Sequence, residues 1–193
     1  MAVLLLDVMD TLVWDPFRLL PEHFQLSFPE LMQQKHPTAW SRFERGELDH
    51  AGFCREFFRD GRTVDEDALR RLLCENYRYL PGIPELLQEL KDAGHELHAL
   101  SNYPEWYAWI EAKLGLSQYL GWTFVSCLTG LRKPDPRAYE QAARTLSVQK
   151  ASELWFIDDR EENVVAAQEA GLSALRFEDA SQLRAALYSA QLL

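Results

Sequence analysis

The sequence predicts an α/β fold: a doubly wound parallel sheet with a small all-helical segment inserted after its first strand. Three observations carry that expectation. The apolar run Val3-Leu4-Leu5-Leu6 stops abruptly on Asp7, and four consecutive apolar residues suit a strand covered on both faces, as strands of a parallel sheet are. From Leu80 onward, short apolar runs alternate with amphipathic stretches, the order needed when each parallel connection crosses over through a helix. Between these regions the chain shows helical patches separated by breakers and no convincing strand.

A length of 193 residues suits one substantial core with a small inserted subdomain, and is short for two ordinary domains. The expected division is a core of residues 1–13 and 80–193 and a helical cap of residues 14–79. With 20 Lys and Arg against 30 Asp and Glu, the formal charge of −10 argues against a nucleic-acid or anionic-membrane surface and is compatible with a cation-assisted site. Cys54, Cys74 and Cys127 are odd in number, widely spaced and set among apolar residues, which reads as reduced thiols in a reducing compartment rather than disulfides or a zinc site. No segment has the length of a membrane span, and a first strand at about residue 3 leaves no room for a signal or transit peptide. The expected location is the cytoplasm, or an organelle lumen if a precursor has lost its targeting segment.

Taken in order, the inserted segment carries a helical patch opened by Pro29-Glu30-Leu31-Met32, a second from Thr38 through Arg45, and a third after Asp49. In the third, Phe53, Phe57 and Phe58 share one face of Ala51 to Arg59. Asp65 caps a fourth, Glu66 to Tyr79. Pro81 and Pro84 start an amphipathic helix closed by Gly94, and Glu96 to Leu100 is a strand that stops at Ser101-Asn102. Pro104 begins a helix through Leu114; Trp122 to Ser126 is a strand; Thr129 to Pro134 is a loop; and Pro136 to Leu146 is a helix. Leu154 to Ile157 is an apolar strand ending on Asp158-Asp159, Glu161 to Ala170 is a helix closed by Gly171, and Ala174 to Phe177 is the last strand.

Four strand-to-helix junctions then carry polar groups: Asp7 with Asp10 and Thr11, Ser101 with Asn102, Lys133, and Asp158 with Asp159. Junctions at the carboxyl edge of such a sheet converge in space. Asp7 alone could be a turn cap, but the distant partners favour an active-site carboxylate. Carboxylates meeting there repel one another unless a cation sits between them, and an oxygen-only set favours Mg2+. A hydroxyl, an amide and an ammonium beside it suit an anionic phosphoryl group, and Asp7 is placed to form an aspartyl phosphate.

In this order the motifs identify the chain as similar to the haloacid dehalogenase superfamily, in the subclass with a helical cap after the first strand of a Rossmann-like core. Asp7-Val8-Met9-Asp10-Thr11-Leu12 occupies the first motif, Ser101-Asn102 the second, Lys133 in Arg132-Lys133-Pro134-Asp135-Pro136 the third, and Phe156-Ile157-Asp158-Asp159 the fourth. The resemblance implies Asp7 as nucleophile, Ser101 and Lys133 on the transferring group, and Asp7, Asp158, Asp159 and the Met9 backbone carbonyl around Mg2+. One position departs. Phosphatases of the superfamily usually carry a general-acid Asp two residues after the nucleophile, where this chain has Met9. Three explanations compete: Asp10 or a cap residue substitutes, the phosphatase is slow, or the leaving group needs no proton, as in dehalogenation. A phosphometabolite-binding protein with little turnover is the alternative from another class.

The expected partner is a small phosphorylated metabolite, with neither nucleic acid nor membrane. Trp14 and Tyr103 lie within a few residues of reacting groups and would stack on a planar substrate; most other aromatic side chains, Trp40 and Phe43 among them, read as packing. Asp7 to Phe17, Phe43-Glu44-Arg45-Gly46, Ser101 to Tyr107 and Trp122 to Cys127 resemble the plant chloroplast flavin mononucleotide hydrolases, which share the Met. That resemblance implies hydrolysis of FMN to riboflavin and phosphate, and a chloroplast as the organelle. Asp15 is expected to start a turn before Pro16, Arg132 to touch phosphate or pair with an acidic neighbour, and Asn163 to orient Asp159.

Overall fold

In a computed structural model that describes residues 2–193, five strands form one sheet: β1 (Val3–Leu6), β2 (Glu96–Ser101), β3 (Gly121–Val125), β4 (Leu154–Asp158) and β5 (Ser173–Arg176). Their order is β3-β2-β1-β4-β5 and every pair is parallel. β1 is central, with Leu6 opposite Ala99 on one side and Ile157 on the other. The chain builds outward from β1 through β2 to β3 and then returns to β4 on the opposite flank, so the direction of winding reverses between β1 and β4. Asp7 and Asp158 stand at that reversal, the place where open α/β sheets bind ligands.

The apolar run of β1 is buried on both faces because its residues alternate between two cores. Leu4 and Leu6 join Leu97, Ala99 and Ile157 beneath α6 (Ile83–Asp92), α7 (Tyr107–Leu114) and α11 (Ala180–Ser189). Leu5 joins Leu100, Phe124, Leu154 and Phe156 beneath α9 (Pro136–Thr145) and α10 (Glu161–Glu169). Each face thus carries its own helical layer, which is why no polar residue interrupts the strand.

Between β1 and β2 the chain forms α1 (Leu20–His23), α2 (Phe28–Gln34), α3 (Ala39–Glu44), α4 (His50–Glu56) and α5 (Glu66–Asn76). The entry and exit of this segment are zipped together: Trp14 N–H donates to Arg78 O at 2.9 Å, Leu80 N–H donates to Leu12 O at 2.9 Å, and Val13 pairs antiparallel with Tyr79. That pairing ends α5 at Asn76, three residues before the limit expected from its pattern. The helix after Asp49 also ends early, at Glu56, because Phe58 leaves it to pair antiparallel with Lys35. Phe53, Phe57 and Phe58 are nonetheless all buried. Lys35 is half-buried by this pairing, and desolvation lowers its ammonium below the ordinary lysine range.

Asp49 and Asp65 act as the sequence implies, accepting from the first-turn N–H groups of α4 and α5, and Asp135 does the same for α9. Thr38 precedes α3 without a side-chain cap bond. The expected helix from Pro104 begins only at Tyr107, and one helical turn, α8 (Ser126–Thr129), intervenes between β3 and the following loop. Neither α1 nor α11 was anticipated, since both are short or weakly patterned.

Candidate active site

Asp7 is the first residue past β1, and its backbone N–H donates to Ile157 O at 2.9 Å. The sheet's hydrogen bonding therefore extends one residue beyond the strand and sets the Asp7 carboxylate beside that of Asp158. Lys133 reaches between them from the α8–α9 loop. Its Nζ lies 2.8 Å from Asp7 Oδ1 and 2.6 Å from Asp158 Oδ2, and the residue is only 3% exposed. Burial alone would depress this ammonium, but the two carboxylates outweigh it and raise it above the ordinary lysine range. Lys133 is therefore a fixed positive charge.

Asn102 holds the loop that presents this lysine. Its side-chain amide donates to Lys133 O at 2.8 Å and accepts from Lys133 N–H at 2.7 Å. Asn102 lines the cavity, and these bonds engage both ends of its amide with protein and fix the Lys133 backbone. Asp158 is fully buried and accepts from Arg160 N–H at 2.8 Å and from Asn163 Nδ2 at 3.0 Å. Asn163 thus orients Asp158, not the expected Asp159.

Asp7, Asp158 and Asp159 each offer a carboxylate oxygen, and these oxygens lie within 4.8 Å of one another. Burial raises the Asp7 carboxyl, Lys133 pulls it back, and Asp158 and Asp159 push it up further. Asp159 is raised for similar reasons, burial first and then Asp158 and Asp10. Three carboxylates against one ammonium leave an excess of two negative charges in a largely desolvated space. An all-oxygen set with that excess fits a hard divalent cation such as Mg2+. Ser101, the last residue of β2, is buried with no partner for its Oγ among the described residues, and Thr11 Oγ1 is in the same condition. An unpaired buried hydroxyl costs about 1–3 kcal/mol, which a bound phosphoryl oxygen would offset at Ser101.

Asp7, Lys133 and Asp159 open on a cavity of about 200 Å³ that Met9, Asp15 and Glu44 also line, while Ser101, Thr11 and Asp158 lie outside its lining. Sequence reasoning had Asp15 only as a turn-former and assigned Glu44 no role. Asp15 does cap the short 3-10 turn Pro16–Leu19, its Oδ1 accepting from Phe17 N–H at 2.9 Å, but it also forms part of the cavity wall. Burial pushes its carboxyl up to about 6, with the Phe17 N–H opposing. Glu44 is 4% exposed; burial pushes it up to about 7 against the pull of Arg132, whose Nη2 is 2.6 Å away. Arg132 therefore pairs with an acid and does not stand free for phosphate. A signal for Glu44 existed: it follows Trp40 by four residues, an acid on the buried stripe of its helix.

The aromatic assignments divide. Tyr103 lines the cavity, 3% exposed, with its hydroxyl 2.9 Å from that of Tyr77. Trp14 does not line it. Consecutive residues of an extended segment face opposite ways, so Asp15 at the cavity leaves Trp14 outside, where the Arg78 guanidinium lies 3.8 Å from its ring centroid. Trp40 lines the cavity instead, while packing on Tyr103 and Trp106 at 6.3 and 5.8 Å between centroids. Asp10 serves its turn: it adopts φ +57°, and Oδ2 accepts from Arg18 Nη2 at 2.6 Å. All three cysteines are free; Cys54 is buried, and Cys74 and Cys127 are half-buried.

The family model for haloacid dehalogenase-like hydrolases matches residues 4–171. Flavin mononucleotide hydrolase 1, chloroplastic, of Arabidopsis thaliana is 46% identical over 184 residues, covering 95% of this chain and 75% of that protein. A sesquiterpene phosphatase of Aspergillus oryzae is 27% identical over 164 residues, covering 80% of each. Among solved structures, a HAD family enzyme of Bacteroides thetaiotaomicron in complex with magnesium and inorganic phosphate superposes at a TM-score of 0.73. That match has 21% identity and covers 95% of this chain and 98% of the other. An L-2-haloacid dehalogenase of Xanthobacter autotrophicus superposes at 0.65 with 18% identity, covering 100% of this chain and 84% of the other. At such identities the superpositions speak for the fold.

Proposed function

The chain belongs to the haloacid dehalogenase-like hydrolases and is a phosphatase; from that premise we propose that it hydrolyses FMN to riboflavin and phosphate through an aspartyl phosphate on Asp7. The observation that carries the chemistry is the placement of Lys133 Nζ between Asp7 and Asp158, with Asp159 beside them. Lys133 holds the Asp7 carboxylate in one orientation and offsets the charge of an incoming phosphoryl group. One Asp7 oxygen attacks phosphorus as the bond to the leaving oxygen breaks. Water then attacks phosphorus and releases Asp7. Ser101 donates its unpaired hydroxyl to a phosphoryl oxygen. Asp7, Asp158, Asp159 and the Met9 carbonyl would hold Mg2+, which supplies positive charge where the carboxylates and phosphate would otherwise repel. That carboxylate set weighs against halide displacement, which has no use for such a cation.

FMN as substrate rests on the Arabidopsis relative. A cavity of about 200 Å³ is smaller than the roughly 300–1,000 Å³ typical of pockets enclosing a whole small ligand. It holds the phosphoryl end and part of the ribityl chain, while the isoalloxazine ring lies toward the mouth near Trp40 and Tyr103. The helical segment, residues 14–79, acts as the cap and shifts to admit the ring. The same relative supports a plastid location, and among the described residues no helix is long and apolar enough to cross a membrane.

The test is phosphate release from FMN, a sugar phosphate and p-nitrophenyl phosphate, in Mg2+ and in EDTA, with Asp7→Asn as the blank. FMN turned over well above the sugar phosphate, lost in EDTA and in the variant, supports the proposal. Equal turnover of FMN and the sugar phosphate refutes the flavin assignment, and activity retained by Asp7→Asn removes the aspartyl phosphate.

A further inference from the structure

An alcohol leaves phosphorus slowly unless a proton reaches its oxygen, and at neutral pH a positioned acid must supply it. Met9, which lines the cavity beside the nucleophile, has none to give. The remaining acids of the cavity wall differ in what holds them. Asp159 belongs to the cation set, Asp10 is paired with Arg18 at 2.6 Å, and Glu44 with Arg132 at 2.6 Å. The Tyr103 hydroxyl is tied to that of Tyr77, and burial raises it well above the ordinary phenol range. Among the described residues Asp15 has no Lys, Arg or His within ion-pair distance, and Oδ1 takes the Phe17 N–H while no bond engages Oδ2.

The backbone explains how a residue eight positions past the nucleophile returns to it. Leu12 and Val13 N–H both donate to Val8 O at 2.9 Å, Asp10 N–H donates to Val13 O at 2.7 Å, and Met9 and Val13 form a parallel bridge. The Asp15 N–H then closes on Asp10 Oδ1 at 3.3 Å. The loop thus folds back, and Asp15 enters the cavity wall that Met9 also lines.

We propose that Asp15 is the general acid and base of this enzyme, replacing the proton donor that Met9 cannot be. This rests on the aspartyl-phosphate reading. In the first step Asp7 bonds to phosphorus, the phosphorus–oxygen bond to the alcohol breaks, and the Asp15 carboxyl proton passes to the departing oxygen, leaving Asp15 as carboxylate. In the second, Asp15 takes a proton from water as the water oxygen bonds to phosphorus. The bond to Asp7 then breaks, and inorganic phosphate, Asp7 carboxylate and protonated Asp15 result. A carboxyl held at about 6 exchanges protons readily in both directions near neutral pH. The groups that face it are Asp10 and Arg18 from its own loop, Asp159 from beyond β4, and the phenols of Tyr77 and Tyr103.

Asp15→Asn keeps the volume and the oxygen that caps the 3-10 turn but carries no transferable acid proton. The readout is kcat/KM, in Mg2+, for p-nitrophenyl phosphate, phenyl phosphate and FMN. The nitrophenolate leaves unaided, phenolate less readily and an alkoxide least. Asp15→Asn should lower kcat/KM for FMN by about 10²–10⁴, for phenyl phosphate by less, and for the nitrophenyl ester by under about tenfold. Equal losses on all three would make Asp15 a structural cap and overturn the proposal, as would undiminished FMN cleavage. Should the amide variant fail to fold, Asp15→Ser retains a capping oxygen and must give the same graded loss. The two aryl esters run this test even if FMN is not the substrate, and wild type inactive on FMN and on both aryl esters would overturn the proposal together with the reading beneath it.

Discussion

Replacing Lys133 by Met tests whether the ammonium or the carboxylates organise the site. The change keeps an unbranched side chain next to the Phe156 ring, whose centroid lies 5.1 Å from Nζ, and removes only the charge. Each carboxylate loses an attraction at 2.8 and 2.6 Å, worth about 6 kcal/mol apiece at an effective dielectric constant near 20. Much of that is cancelled by the cost of having buried the charges. The net penalty for breaking such a pair is about 3–5 kcal/mol, a large share of the roughly 5–15 kcal/mol that stabilises a domain. At about 2–4 °C per kcal/mol for a chain of this size, thermal unfolding in EDTA should drop by roughly 6–20 °C. Mg2+ should recover part of the loss in Lys133→Met and add less to wild type, because the variant has more uncompensated negative charge to offer. Turnover in Mg2+ should fall. A variant as stable as wild type in EDTA would mean that Asp7 and Asp158 do not depend on Lys133, and would refute the charge-balance argument.

Asn102→Ala removes both bonds that fix the Lys133 backbone; kcat/KM should fall by about 10–100-fold, about 1–3 kcal/mol, and the loss should vanish if Lys133 is already Met. Gly46→Ala places a methyl 2.6 Å from Cys127 O at a residue with φ +73°, so it should cost more than about 1 kcal/mol in denaturant unfolding; an unchanged midpoint would mean that the helical segment does not dock there. Glu44 is an acid whose folded value, about 7, exceeds its ordinary 4.5, so the folded protein retains a proton that the unfolded chain releases. Its contribution is whole below pH 4.5 and fades as pH rises to 7, an upper bound of about 3 kcal/mol. Urea midpoints of Glu44→Gln should decline less across that window than those of wild type, and parallel declines would contradict the assignment.

The sheet was legible because burial on both faces leaves a strong trace. Val3 to Leu6 and Leu154 to Ile157 are continuous apolar runs that end on acids, and the two occupy adjacent strands with those acids side by side. Helix ends were less legible, because tertiary pairing sets them. Nothing in the pattern of Glu66 to Tyr79 says that Arg78 and Leu80 will be claimed by Trp14 and Leu12, and that claim ends α5. Ser101, Asp158 and Asp159 were legible because each lies at or just past a strand end, where sequence position and spatial position coincide; Lys133, in the loop between α8 and α9, was legible from its place in the Arg132-Lys133-Pro134-Asp135-Pro136 motif.

The remaining site residues were hidden for a single reason: they reach the cavity through folded-back backbone rather than from a strand end. Trp14 and Asp15 are neighbours with opposite orientations, and only the hydrogen bonds of residues 8–15 decide which one enters the cavity wall. Proximity in sequence favoured the aromatic residue; geometry selected the acid. Trp40 and Glu44 enter from α3, and their height over Lys133 depends on contacts distant in sequence, Ser126 Oγ donating to Glu44 O at 2.5 Å and Arg132 Nη2 meeting its carboxylate at 2.6 Å. Those contacts join α3 to the very loop that carries Lys133. A shift of α3 to admit a flavin would therefore pull on Arg132, one residue from the Lys133 ammonium proposed to meet the phosphate. Substrate entry and the set of the Lys133 loop would then be mechanically linked, and Glu44→Gln, which weakens that link, should raise KM for FMN more than KM for the small nitrophenyl ester. Equal changes in both would mean that α3 and the Lys133 loop move independently.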